Sequence, residues 1–246
     1  MNENRWQISL GIALIAFSAL CYFIHFLFFR DPHHIFIFLI GDIAFVFIEV
    51  LLVTLIIHRV LSLRERKARM EKLNMVIGLF FSEIGTKLIA YFSDCDPSLD
   101  TIRQEFIITD KWSDQDFVNL NTSLKACEFR IEIEKTDLSP LRTFLDEKKD
   151  FLVRLLENPV LLEHESFTEL LRSVFHLTEE LMARGDLAHL PDNDLRHIGG
   201  DIRRAYVILV HQWLDYMKYM KKNYPYLFSF AMRTNPFDQQ ASLIIQ

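Results

Sequence analysis

The 23 residues from Ile35 to Ile57 constrain this chain more than any other stretch. Eighteen of them are Ile, Leu, Phe or Val, and the run contains no Pro. As an α-helix rising ~1.5 Å per residue, it is long enough to cross a hydrocarbon core of ~30 Å. Two acids interrupt it, Asp42 and Glu49, seven residues apart and therefore on one helix face. The apolar residues, at roughly −0.5 kcal/mol each, supply about −9 kcal/mol against about +3 for each acid, so insertion wins by about 3 kcal/mol. The acids are too costly to face lipid. They are predicted to face a partner helix, a second copy of the chain or a wet cavity.

A basic neck follows directly: His58, then Arg59, Arg64, Arg66, Lys67, Arg69 and Lys72. Arg59 to Lys72 holds six Lys or Arg and two Glu, a net of +4, whereas Leu73 to Gln246 carries a net of −8. A basic collar under an acidic body suits a membrane surface rich in anionic lipid, and at its plainest it only sets topology. General nucleic-acid binding would want a basic face on the body itself, so no nucleic-acid partner is expected.

Ahead of Ile35 lies a second apolar run, Trp6 to Phe29, in which His25 is the one readily titratable group. Ala16-Phe17-Ser18 would pass as a signal-peptidase site, but the run continues eleven residues beyond it, and Arg5 in the leading segment is opposed by Glu3. A retained membrane helix is the better reading, with Trp6 and Tyr22 at interfacial positions. Arg30-Asp31-Pro32-His33-His34 then forms a turn short enough to force an antiparallel hairpin. With the neck inside, both termini are cytoplasmic and the protein is placed in the cell (inner) membrane as a multi-pass protein. Cys21, Cys95 and Cys127 are odd in number, match no metal framework and are expected as reduced thiols.

The remainder reads as helices. No Pro occurs between Ile35 and Asp96, and Leu73, Ile77, Phe80, Ile84, Leu88 and Tyr91 make one apolar stripe, predicting a helix to about Phe92. Gly78 and Gly85, seven apart, open one side of it for close packing. Ser98 is expected to cap a short helix, Ser113 the next, Ser139-Pro140 to open a third and Ser166-Phe167-Thr168-Glu169 a fourth. The longest helix of the body is predicted over about Asn193 to Asn223, followed by a short apolar segment, Leu227 to Met232, and a frayed tail from Gln239. Phe129 to Lys135 alternates as a strand would, yet no obvious partner strand exists, so its conformation stays open. The expected fold class is all-α, with a two-helix transmembrane hairpin followed by a cytosolic helical bundle. Its parts are residues 1–58 for the hairpin (helices about 6–29 and 35–57), 59–92 for the neck and connecting helix, and 93–246 for the cytosolic domain.

Two pairs of stretches carry a resemblance. They are Leu156-Glu157-Asn158-Pro159 with Leu162-Glu163-His164-Glu165, and Tyr224-Pro225-Tyr226-Leu227-Phe228 with Arg233-Thr234-Asn235-Pro236-Phe237. They resemble uncharacterised prokaryotic membrane proteins with two spans and a helical body. The resemblance covers about the last third of the chain and brings no activity or functional residue with it.

Three constellations could carry chemistry. Asp42 and Glu49 would relay protons, bind a cation or line a pore made by several copies; alternatively they hydrogen-bond the partner helix, for instance at Ser9 or Ser18. Asp194, His197 and Asp201, at i, i+3 and i+7, share a helix face and could bind a divalent metal, although acids near a helix start are favoured by the dipole alone. Arg204 and His211 resemble the Arg-x(4–6)-His motif of HEPN-type helical ribonucleases, which implies an Arg that holds phosphate and a His that moves a proton. No phosphate loop, nucleophile elbow, zinc-type Cys pair or His-Glu-x-x-His is present.

These features favour a non-enzymatic membrane protein. Its hairpin anchors a helical cytosolic domain that binds a protein partner or transmits a signal, as a homo-oligomer joined through the acidic membrane face. Tyr224 to Phe237 and the acidic face of the last long helix are the surfaces expected to meet the partner. The alternatives are a small ion- or proton-conducting assembly, and a metal-dependent or HEPN-like ribonuclease domain on a membrane anchor. No cofactor is required by any motif, a divalent metal apart.

Overall fold

The computed structural model describes residues 3–162 and 164–242. Met1, Asn2, Glu163 of the quoted Leu162–Glu165 stretch and the last four residues of the tail lie outside the described residues. The chain is α-helical, with no strand among the described residues. It divides into two compact units, Met1–Lys67 and Ala68–Gln246.

The first unit holds α1, Glu3–Phe29, and most of α2, Pro32–Phe80, with two residues between the helices. The turn between them has identifiable causes. Arg30 adopts a left-handed conformation (φ 51°) and its N–H reaches the Phe26 carbonyl at 2.9 Å, which closes α1. Asp31 accepts the N–H of His33 at 2.9 Å, while Pro32 occupies the first helical position, where its missing N–H costs nothing. Both helices are long and apolar enough to cross a membrane. From residue 6 to residue 72, no described side chain is buried; Phe36, Phe45, Phe47 and Leu55 are all more than half exposed.

The second unit starts within α2. The helical path does not run unbroken to Phe92 as the apolar stripe predicts, but passes through a π turn, Phe81–Gly85, into α3, Thr86–Asp94. The π turn begins at Phe81, and Phe80 and Phe81 on either side of that junction are both buried. Phe80 meets Phe167 edge-on at 5.3 Å and Phe81 stacks on Tyr216 at 5.3 Å. Gly85 is required beneath this ring, since a Cβ there would lie 2.5 Å from Phe81 Cδ1.

Two short 3-10 turns, Pro97–Thr101 and Arg103–Phe106, lead to α4, Asp114–Ala126. Next come α5, Ser139–Leu156; α6, Pro159–Leu162; α7, Glu165–Ala183; α8, Asp192–Asn223; and α9, Pro225–Arg233. α8 is the central element: α3, α4, α7 and α9 pack on it, and α5 packs on α7. Its stripe of Ile198, Ile202, Tyr206, Leu209, Trp213 and Met217 is 3 % exposed or less throughout.

The helix starts follow the predicted chemistry once. Ser113 and Asp116 form a reciprocal capping box at α4. Elsewhere a neighbour takes the role. Asp96, not Ser98, accepts the first N–H of its turn; Asp137 accepts the N–H of Ser139; and Nδ1 of His164, not Ser166, accepts the N–H of Phe167 at 3.2 Å. The alternating stretch 129–135 is irregular and then a 3-10 turn, Ile133–Lys135, and a backbone bond from Glu132 N–H to the Cys95 carbonyl ties it to the end of α3. With no strand among the described residues to pair it, the alternation serves to bury Phe129 and Ile133 while Arg130 stays out.

The segment expected to face a partner is divided between core and surface. Phe228, Asn235 and Phe237 are buried, and Asn235 Nδ2 donates to the Phe106 carbonyl at 2.8 Å. Phe237 stacks on Phe106 with ring centroids 4.3 Å apart. Only Tyr226, Leu227 and Phe230 remain as exposed apolar groups there. The Asn-Pro-Phe text is thus an internal latch: the Asn side chain fixes the turn that delivers Phe237 to the core.

Candidate functional site

The polar chemistry of the second unit gathers where the end of α7 faces the start of α8. His176 and Glu180 are one turn apart on α7, as His197 and Asp201 are on α8, so each helix presents one imidazole and one carboxylate on a common face. Nε2 of His197 lies 3.5 Å from Glu180 Oε2 and 3.5 Å from Asp201 Oδ2. Nε2 of His176 lies 3.6 Å from the same Asp201 oxygen and 3.9 Å from Glu180 Oε1. Asp201 is 3 % exposed, and its Oδ2 makes no hydrogen bond.

Two arginines hold this cluster from outside. Arg184 grips Asp194 with two nitrogens and reaches Glu180 Oε2 at 2.6 Å with a third. Hydrogen bonds from Arg184 hold the carboxyls of Glu180 and Asp194 below the usual carboxylate range, and the pairing raises the Arg184 pKa in turn. Arg204 Nη1 sits 3.1 Å from the other oxygen of Asp201.

Of the three residues that sequence spacing groups together, His197 and Asp201 therefore come together in space, and Asp194 is turned to Arg184 instead. Glu180 and His176 complete the group from α7. Their signal was in the text: His-x-x-x-Glu at 176–180 mirrors His-x-x-x-Asp at 197–201. Spacing along one helix does not reveal it, because the two halves meet only through the packing of α7 on α8. Glu180, His197 and Asp201 place ligand atoms all within 4.8 Å of one another, which suits a divalent cation.

The remaining polar residues lie apart from this cluster. Arg204 and His211 engage different partners: Arg204 meets Asp201, whereas Nδ1 of His211 pairs with Asn121 Oδ1 on α4 at 2.9 Å. Burial lowers the His211 pKa, which keeps the ring neutral. In the first unit, Tyr22 Oη donates to Asp42 Oδ2 at 3.3 Å, where Ser9 or Ser18 was expected as the partner. Ser18, Cys21, His25, Ile35 and Phe38 line a cleft of about 520 Å³ around this pair. Glu49 is exposed, as are Arg59, Arg64, Arg66, Lys67, Arg69 and Lys72, all on α2.

Comparison with known proteins agrees with a two-part helical chain. Residues 2–61 match a family model described as the MJ1433 N-terminal helical domain, and residues 69–233 match one described as the C-terminal helical domain of the uncharacterised protein MJ1433. A curated relative, the uncharacterised protein MJ1433 of Methanocaldococcus jannaschii, is 46 % identical over 244 residues, covering 99 % of this chain and 98 % of its own. No solved structure matches the chain.

Proposed function

This chain belongs to the family of the uncharacterised protein MJ1433, in which an N-terminal helical part precedes a C-terminal helical one, and on that premise we propose that it is a membrane protein whose first part anchors a helical interaction or signalling domain. The observation that carries this reading is the exposure of the first unit. From residue 6 to residue 67, two helical stretches rich in Ile, Leu, Phe and Val bury none of their described side chains within the chain. Apolar surface on that scale is costly in water and costs nothing in lipid. The six neck cations then lie at the anionic cytoplasmic face, and both termini are cytoplasmic. Copies of the chain associate through the face that bears Asp42 and Glu49. The acidic second unit, with no catalytic motif, acts by binding a protein partner.

The test is fractionation of cells expressing the full chain, followed by an alkaline wash and by reporter tags at each end. Retention in the washed membrane with both tags cytoplasmic is expected. A chain that remains in the soluble fraction, or tags on opposite sides, overturns the reading. Proton or cation flux through proteoliposomes that is lost in Asp42→Asn with Glu49→Gln would replace anchoring by conduction.

A further inference from the structure

We infer that α7 and α8 together bind one divalent transition-metal ion, ligated by Nε2 of His176 and of His197 and by one carboxylate oxygen each from Glu180 and Asp201. This goes beyond the membrane reading and does not depend on it.

The donor set is the first ground. Two neutral imidazoles and two carboxylates make an N2O2 site of borderline softness, suited to Zn2+ and its first-row neighbours rather than to Ca2+ or Mg2+, which take oxygen alone. The spacing is the second. Each helix supplies its pair at i and i+4, so all four groups are carried by regular backbone, and no loop has to be ordered to assemble them.

The distances are the third ground, and they decide between two accounts of the cluster. Were it only a hydrogen-bonded ion network, its N···O separations would fall near 2.7–3.2 Å. They are 3.5, 3.5, 3.6 and 3.9 Å. Ligands held at ~2.1 Å from a tetrahedral ion are separated by about 3.4 Å along each edge. Glu180, His197 and Asp201 offer one ligand atom each within 4.8 Å of one another, and His176 Nε2 approaches the same Asp201 oxygen at 3.6 Å from the side of the other Glu180 oxygen. By contrast, the pairs around the cluster that are true charge-assisted bonds, Arg184 with Asp194 and with Glu180, close to 2.6–2.7 Å.

The buried oxygen is the fourth. Asp201 Oδ2 is nearly sealed from solvent, accepts no hydrogen bond and lies between both imidazoles. A buried carboxylate oxygen without a partner is expensive, and a metal ion supplies the missing one. Arg204 on the other oxygen of Asp201 and Arg184 on Glu180 play the outer-layer part, fixing the carboxylates so that their remaining lone pairs face the ion. With Asp194 included, three acids stand against two arginines, which leaves room for a cation once the imidazoles are neutral.

The experiment uses the full-length protein, purified in detergent without a polyhistidine tag and stripped with EDTA. Zn2+ is titrated by calorimetry, and Co2+ by its visible absorption, whose intense bands mark four-coordinate geometry. One ion per chain is expected, with a higher thermal midpoint on loading. His176→Ala and His197→Ala are each expected to weaken Zn2+ binding by at least about tenfold, the lower end of the effect of losing an outer-layer partner. Both histidines are about half exposed, so replacing them leaves the core intact, and circular dichroism of the metal-free variants checks this. His189→Ala, in the exposed pair with Asp186, is expected to bind as the parent does. Absence of stoichiometric binding in the parent overturns the site. So does full retention of affinity in either the His176 or the His197 variant.

Discussion

Arg184 closes on both carboxylate oxygens of Asp194, Nε to Oδ2 at 2.7 Å and Nη2 to Oδ1 at 2.6 Å, and so ties the residue after α7 to the first turn of α8. The planar fork of a guanidinium matches a carboxylate in this way, and lysine would not. Hydrogen bonding by Arg184 holds the Asp194 pKa below its ordinary value. A depressed carboxylate stabilises the fold above its unfolded pKa of about 4, and that contribution fades as pH falls through the folded value. Asp194→Asn is therefore expected to lower the thermal midpoint at pH 7. The gap to the parent should close on acidification below about pH 4. The measurement is thermal unfolding across pH with EDTA present, so that no bound cation contributes. A gap that stays constant with pH would show that the pair acts by shape and not by charge.

The two glycines Gly85 and Gly200 are expected to respond to alanine with opposite signs. A Cβ on Gly85 would meet Phe81 at 2.5 Å and Phe80 at 3.0 Å, inside a π turn whose two rings are already packed on Phe167 and Tyr216. Overpacking of this kind costs about 1–3 kcal/mol. At Gly200, within α8, nothing lies within 4 Å of the added carbon. There the methyl only restricts the unfolded chain and favours the helix, a gain of about 0.5–1 kcal/mol. Denaturant unfolding of both variants reads the difference, and equal effects would mean that the π turn relaxes freely.

Phe237 is where the end of the chain becomes part of the core. Its ring is fully buried, stacked on Phe106 and edge-on to Trp213 at 5.1 Å. Phe237→Ala should cost about 3–5 kcal/mol, the usual loss for a buried phenylalanine. Asn235→Ala should be destabilising in the same direction, because it removes the side-chain bond to the Phe106 carbonyl and takes away the Oδ1 that accepts the buried Phe237 N–H. Stability at the parent level in the Phe237 variant would mean that the tail docks only loosely.

Periodicity alone reveals most of the helices of this protein, because α3, α4, α7 and α8 each bury one stripe against neighbours. Leu177 and Leu181 on α7, and Leu209 and Trp213 on α8, lie where a 3.6-residue repeat places them. Departures occur where a local side chain outcompetes the usual one. His164 is a weak cap by type, yet its Nδ1 sits where Phe167 needs an acceptor. The π turn is invisible to a repeat count, since buried neighbours such as Phe80 and Phe81 also occur in regular helix, as Leu170 and Leu171 do in α7. The His-carboxylate cluster is half legible for a different reason. Spacing along α8 finds His197 and Asp201, but only the packing of α7 on α8 decides that Glu180 and His176 stand opposite and that Asp194 is given to Arg184. The exposed first unit is the reverse case: the same apolar run would read as a core helix if other helices covered it, and here none of its described residues is buried.

Tyr206 offers the sharpest test of how the core treats a polar group. It is fully buried between Phe92 and Phe129, with ring centroids at 5.7 and 4.8 Å, and its hydroxyl has no hydrogen-bond partner among the described residues. Burial, reinforced by the charge of Asp96, pushes its pKa well above the ordinary value, so the group stays a neutral donor. An unmade donor in such a place costs about 1–3 kcal/mol, whereas the ring itself is worth keeping. Tyr206→Phe preserves the ring contacts and removes only the oxygen. The variant is expected to be more stable than the parent by about 1 kcal/mol in denaturant unfolding. The opposite outcome has a specific meaning, because Asp96 Oδ2 is likewise buried and without a hydrogen bond. A variant less stable than the parent would show that an ordered water joins the two groups. In that case Asp96→Asn should lose more stability in the parent than in the Tyr206→Phe background.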